Sequence, residues 1–187
     1  GIVGYGRMAE VGHHPLIDSL KGCRVVAVCD TLKVRRDLAE TKGVRAYEDY
    51  ERFLSDADLD VVVVATPSNS HCEFAVRAAR AGKHVMTEKP MARNAAEARR
   101  MVQAAEGHKV VLSVYHNRRY DGDVQGALSL LRSGRLGRVL AVERRVNSWG
   151  RHETSASRSS TGTGASRRRG AAGHCMTSVP TSWTRSC

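Results

Sequence analysis

Ile2-Val3 runs straight into Gly4-Tyr5-Gly6-Arg7-Met8-Ala9, and few folds accommodate that succession. A short apolar stretch that turns through Gly-x-Gly-x-x-Ala into a helix has the spacing of a dinucleotide-binding βαβ turn, with alanine in the third small-residue slot. Each small residue has its own physical task. Gly4 permits the sharp exit from the strand, Gly6 lets the backbone approach a pyrophosphate, and Ala9 lets the helix lie close on the sheet. The N–H groups and positive dipole end of the helix, around Tyr5, Arg7 and Met8, then face the phosphates.

The rest of the chain alternates strand and helix. Arg24–Cys29 is an unbroken apolar run, as expected of a parallel strand buried on both faces. It ends at Asp30, 24 residues after Gly6, where a carboxylate would accept hydrogen bonds from an adenosine ribose. The competing role for Asp30 is a cap for a helix over 32–42. A carboxylate there repels a 2′-phosphate and points to NAD, while Arg35 and Arg36, one turn on, leave NADP open. Short strands are expected at 44–47, 60–65, 83–87 and 109–115, with helices at 8–20, 49–55, 72–81 and 94–105. Pro15 should break or kink the first helix. Strand 60–65 delivers Ala65-Thr66-Pro67-Ser68-Asn69-Ser70-His71 to the carboxyl edge, where its hydroxyls and amide could line a nicotinamide ribose. His71 reads as a first-turn helix residue rather than an acid or base. Strand 83–87 delivers Glu88-Lys89-Pro90 to the same edge, and the last strand leads to His116-Asn117-Arg118-Arg119-Tyr120. His116 is a candidate by position alone.

This alternation is the pattern of an α/β, Rossmann-type doubly wound parallel sheet over residues 1–118. A helix at 121–132 and a strand at 139–146 would begin a second α/β domain over 119–150. The chain lacks a start methionine, so a few N-terminal residues are expected to precede it. No apolar run approaches the length of a membrane span, and the five cysteines form no CxxC pair, so neither a metal site nor a disulfide framework is supported. A reducing cytoplasm fits that usage. The net charge of +11 raises nucleic acid as a partner. Residues 151–187 alone carry +5 of it, aromatics make up only 5%, and no basic face interleaved with aromatics appears, so a solvated Arg-rich surface is the better reading.

With the glycine turn, Ala65-Thr66-Pro67, Glu88-Lys89-Pro90 and Asn117-Arg118-Arg119-Tyr120 in this order, residues 1–148 resemble the Gfo/Idh/MocA oxidoreductases. That resemblance implies hydride transfer between a nicotinamide dinucleotide and a carbinol of a sugar, cyclitol or related polyol. It implies cofactor contacts from Gly4, Tyr5, Gly6, Arg7, Met8, Asp30, Arg35, Ala65, Thr66, Pro67, Ser68, His71, Glu88 and Lys89. Lys89 would hold the reacting oxygen and help its proton leave, with Asn117 and Tyr120 bordering the substrate. The alternative for Lys89 is a plain ion pair with Glu88 in a turn. Members of the family usually associate through the sheet of their second domain.

The family's second motif, Asp-x-Gly-x-His-x-x-Asp, whose histidine exchanges the substrate proton, is not spelled in this chain. From about residue 151 the composition changes: Ser and Thr make up 14 of 37 residues, and Leu and Ile vanish. A disordered basic tail is one expectation. A shifted reading frame is the sharper one. Joining the last base of each codon to the first two of the next forces Leu at His174–Cys175, Asp at Met176–Thr177 and Asp at Trp183–Thr184. The junctions between permit the Gly and the His, so the shifted phase can spell the missing motif. Residues 151–187 are therefore expected to be an aberrant tail, beginning between Trp149 and Ser157, and the chain to be an inactive or weakly active fragment.

Overall fold

The computed structural model describes residues 1–145. Six strands form one parallel sheet: β1 (Ile2–Val3), β2 (Ala27–Cys29), β3 (Arg45–Tyr47), β4 (Val61–Val64), β5 (His84–Thr87) and β6 (Leu112–Val114). Their order is β3-β2-β1-β4-β5-β6, with every pair parallel. The strand order reverses between β1 and β4, so the doubly wound sheet expected from the alternation is observed, and its switch point lies at the glycine turn.

Alternate residues of the strands feed two cores, which is why the central strands β1, β2 and β4 read as unbroken apolar runs. Val3, Ala27, Cys29, Val62, Val64 and Val85 pack in one cluster with Phe53 and Leu54 of α3 (Tyr50–Leu54), Ala75 and Ala79 of α4 (His71–Arg80), and Met101 of α5 (Ala95–Gly107). Ile2, Val28 and Val63 face the other way, onto Tyr5, Ala9 and Ala39, the last from α2 (Lys33–Thr41). Local signals set the helix ends. Asp49 caps α3 by accepting from the Arg52 N–H, and Asn94 caps α5 by accepting from the Glu97 N–H. Gly82 follows α4 with φ 74°, a left-handed turn suited to glycine.

Two sequence expectations change. The first helix is not a regular α-helix. A π-helical turn, Ala9–His13, precedes α1 (His14–Asp18), and Pro15 sits in the opening turn of α1, where its missing N–H costs nothing. The strand expected at 139–146 is absent over 139–145, and Leu140 is 81% exposed. A strand persists only when its backbone groups find a neighbouring strand, and none of the described residues supplies one. Residue 146 and the aberrant tail expected at 151–187 lie outside the described residues.

Gly1–Val124 forms one compact unit, and the chain from Gln125 onward forms another. The first unit ends within the opening turn of α6 (Gly122–Arg132). No helix among the described residues is long and apolar enough to cross a membrane.

Candidate functional site

The register of the sheet lines up the carboxyl ends of the strands. Cys29, Val3, Val64, Thr87 and Val114 share one level across β2, β1, β4, β5 and β6. The residues after them, Asp30, Gly4, Ala65, Glu88 and Tyr115, form the next rung. The ladder continues through it: Gly4 N–H donates to Cys29 O at 2.8 Å, Ala65 to Val3 at 2.9 Å, Glu88 to Val64 at 2.9 Å and Tyr115 to Thr87 at 2.9 Å. Five segments assigned to the site from sequence thus leave the sheet side by side. At the usual strand spacing, Asp30 and Glu88 stand roughly 14 Å apart along the rung.

At the switch point two of these segments touch. Gly4 has φ 85°, and a Cβ there would lie 2.8 Å from the Ala65 carbonyl oxygen and 2.9 Å from Thr66 Cγ2. Only hydrogen fits. Gly6 differs: the nearest atom to a Cβ there is Arg35 Nη1 at 3.9 Å, so its outer face is open. The helical run that begins at Arg7 presents its first N–H groups at this opening, with Arg7 and Met8 exposed and Ala9 buried against the sheet. A cradle closed behind Gly4 and open before Gly6 fits a dinucleotide pyrophosphate.

Asp30 takes the capping role considered for it, and its carboxylate is nearly covered, which leaves it little free to meet a ribose. Oδ1 accepts from the Leu32 N–H at 2.8 Å at the start of α2, and Oδ2 accepts from the Tyr5 N–H at 2.8 Å and Arg35 Nη1 at 3.2 Å. The carboxylate thereby braces the glycine turn, and Arg35 is the exposed group at this end, with 43% of its side chain accessible against 4% for Asp30. Arg36 is committed elsewhere, donating to the Asp30 and Thr31 carbonyls and to Glu48.

Tyr5 reaches the site through its backbone alone, because its side chain is buried. Its hydroxyl meets His14 Nδ1 at 2.5 Å, and His14 Nε2 meets Asp18 at 3.1 Å. Burial raises the Tyr5 hydroxyl above its ordinary value and lowers the His14 imidazole below its own, Asp18 opposing the latter.

At the other end, Thr66 Oγ1 accepts from Ser70 Oγ, which also donates to Pro67 O and fixes the Thr66–Ser70 turn, with Ser68 half-buried beside it. His71 corrects an expectation. It opens α4 as foreseen, but only 1% of it is exposed and both ring nitrogens are spent on backbone carbonyls, Nε2 on Thr66 and Nδ1 on Pro90, each at 2.8 Å. It contributes the placement of two loops rather than a contact of its own. Glu88 gives its side chain to His13, Oε1 to Nε2 at 2.9 Å. Its Oε2 takes only the backbone N–H of Lys89, at 3.0 Å. The alternative of a Lys89–Glu88 ion pair is therefore not what forms: the Lys89 ammonium meets no acid among the described residues, and the side chain is exposed. The Lys89–Pro90 peptide is cis. Asn117 and Tyr120 lie on an exposed 3-10 turn, Asn117–Tyr120, just beyond β6, with His116 exposed before it.

Sequence reasoning missed His13 and His14. Read as one α-helix, residues 8–20 give no reason for two consecutive polar rings to turn inward, whereas the π-helical turn allows it. The Gly12-His13-His14-Pro15 interruption of the helical pattern was the available signal.

Comparison with known proteins bears on the same residues. The oxidoreductase family with an NAD-binding Rossmann fold, Gfo/Idh/MocA, matches residues 1–116. The scyllo-inositol 2-dehydrogenase (NADP(+)) IolW of Bacillus subtilis is 38% identical over 138 residues, covering 73% of this chain and 38% of that protein. The inositol 2-dehydrogenase of Salmonella typhimurium is 33% identical over 149 residues, covering 78% and 44%. The crystal structure of the WlbA dehydrogenase from Bordetella pertussis in complex with NADH and UDP-GlcNAcA superposes with a TM-score of 0.69 at 34% identity, over 74% of this chain and 40% of that one. The chain spans about two fifths of the length of the curated relatives it matches.

Proposed function

Since the chain belongs to the Gfo/Idh/MocA oxidoreductases, a family with an NAD-binding Rossmann fold, we propose that it holds a nicotinamide dinucleotide across the rung from Asp30 to Glu88 and serves hydride transfer at a carbinol of a cyclitol or sugar. The observation that carries this reading is the position of Lys89. It leaves the rung one residue past Glu88, on the strand next to the switch point, with an exposed ammonium that no described acid neutralises.

When bound, the dinucleotide supplies the hydride acceptor or donor. The chain's own residues do the rest. Gly6 and the N–H groups of the helix begun at Arg7 hold the pyrophosphate, and Arg35 meets the adenosine ribose. Thr66, Pro67 and Ser68 line the nicotinamide end. Lys89 donates a hydrogen bond to the reacting oxygen and favours its anionic form as the proton departs. Asn117 and Tyr120 border the substrate. The inositols and the nucleotide sugar named with the relatives support that substrate class.

The proton acceptor that the family carries in Asp-x-Gly-x-His-x-x-Asp is not spelled here, so we expect dinucleotide binding with little or no turnover. A non-catalytic dinucleotide-binding module is the alternative that this same gap favours. Titration of NADH fluorescence, then turnover assays with myo-inositol, scyllo-inositol and UDP-sugars, tests the reading. Saturable binding is expected, and none at millimolar nucleotide would overturn it. Measurable turnover would contradict the expected loss of activity. Sequencing the codons for 148–187 tests the shifted frame, which fails if the bases across 175–184 do not spell the motif in the second phase.

A further inference from the structure

Two buried imidazoles reach the neighbours of Lys89 from opposite directions. His13, 1% exposed, comes from the helix that begins at the glycine turn. Its Nε2 holds Glu88 Oε1 at 2.9 Å, and its ring packs edge-on against Tyr115, centroids 4.7 Å apart, on the far side of the same rung. The other oxygen of Glu88 accepts the Lys89 N–H. His71, also 1% exposed, comes from the start of α4. Its Nδ1 holds the Pro90 carbonyl and its Nε2 the Thr66 carbonyl. Carbonyl oxygens only accept and a neutral imidazole carries one N–H, so the ring donates to one of the two carbonyls at a time while lying within 2.8 Å of both. The residue before Lys89 is thus tied to the helical run that follows the glycine turn, and the residue after it to the start of α4 beside the Thr66–Ser70 turn.

We propose that His13 and His71 are positioning residues that bracket Lys89, fixing its backbone from the two segments that hold the dinucleotide. The proposal rests on the reading of Lys89 as the group that binds the reacting oxygen. It assigns both rings a purpose that filling space would not require. A lysine on an exposed loop samples many positions, and holding residues 88 and 90 removes most of that freedom before any ligand arrives. Both rings are buried and their ties partly so, which limits competition from water.

The two nitrogens of each ring allow a position-specific test. A glutamine amide falls near the imidazole Nε2, and an asparagine amide falls near Nδ1. The readout is amide hydrogen exchange on the full chain without nucleotide, measured at Glu88 and Lys89, whose N–H groups donate to Val64 O and Glu88 Oε2, with Val85 of β5 reporting an intact sheet. His13→Ala and His71→Ala should speed exchange in that segment by about tenfold while Val85 stays protected. His13→Gln should restore slow exchange and His13→Asn should not. For His71 the order reverses: Asn retains the Pro90 tie and Gln does not. Unchanged exchange in the alanine variants, or equal rescue by Asn and Gln at either site, would overturn the proposal. Should His71→Ala fail to fold, the Asn and Gln pair still decides. Loss of NADH binding by the unaltered chain would sink the functional reading without altering this exchange pattern, so the two failures are distinguishable.

Discussion

At the scale of single residues, the two glycines of the turn differ in what limits them. The outer face of Gly6 is open, so Gly6→Ala should leave thermal stability unchanged or slightly raised, since alanine restricts the unfolded chain. On the proposed function the same methyl would stand where the pyrophosphate approaches, and NADH affinity should fall by about tenfold, equivalent to about 1.4 kcal/mol. Calorimetric melting beside fluorescence titration separates the two effects, and parallel losses would refute the assignment. Arg35 carries a second prediction. It covers the Asp30 carboxylate and is the exposed cation at the ribose end. Arg35→Ala should weaken NADPH binding by about tenfold or more, since it removes a charge-assisted partner and uncovers an anion, and should weaken NADH less. An unchanged NADPH-to-NADH ratio would show that Arg35 does not face the 2′ position. Asp30 was legible from its spacing to Gly6. Its closure beneath Arg35 was not, because spacing along a chain says nothing about which neighbour folds over a side chain.

Among elements, the contact between the glycine turn and the β4 loop sets the geometry of the switch point. Gly4→Ala meets both a left-handed backbone and an immovable carbonyl, whereas Gly82→Ala meets only the former, with nothing within 4 Å of its new methyl. The Gly82 change should cost about 1–2 kcal/mol and the Gly4 change distinctly more, read from urea unfolding midpoints. Equal costs would mean that the two loops are not pressed together. The central strands β1, β2 and β4 were legible because each is an apolar run bounded by turn residues, and the helices expected at 49–55, 72–81 and 94–105 fall within a residue or two of α3, α4 and α5. Two elements were misread for opposite reasons. The π-helical turn is too short to show a period of its own in the sequence. The apolar alternation of 139–146 looked like a strand, but alternation records only a capacity to pair, and pairing needs a partner.

For the molecule as a whole, acid should act in two stages. Burial lowers the His14 imidazole below its ordinary value, so folding favours the neutral ring. That contribution is complete above the unfolded value near 6.5 and is lost as pH falls through the lower folded value. Burial alone would raise the Asp56 carboxyl. Hydrogen bonds from the Asp58 N–H, the Tyr47 hydroxyl and Arg45 outweigh it and hold the group below its ordinary range. Its contribution persists above a pH near 4 and is lost on further acidification. Melting temperature measured from pH 8 to 3 should therefore fall first below about 6.5 and again below about 4. His14→Asn should remove the first fall and Asp56→Asn should blunt the second. A profile that both variants leave unchanged would show that other groups govern acid stability. The doubly wound order and the edge that carries the site were legible at this scale, because parallel strands deliver all their loops to one side. The ties from His13 to Glu88 and from His71 to Pro90 were not, because these helices lie apart from the Lys89 loop along the chain and reach its neighbours only once the sheet is laid down.

The five-residue π-helical turn makes chain length a heritable variable of the site. A π-turn accommodates one residue more than the α-helical turn it replaces, and here it lets His13 and His14 face inward together. Losing the single codon for Gly12 would let this turn close into regular α geometry, keeping His14 bonded to Ala9 and the downstream helix in register while redistributing the residues between them, His13 included. Substitutions in this segment can be gradual, but its indels cannot: the residue count of one helix is coupled, through the His13–Glu88 tie, to a loop 75 residues away.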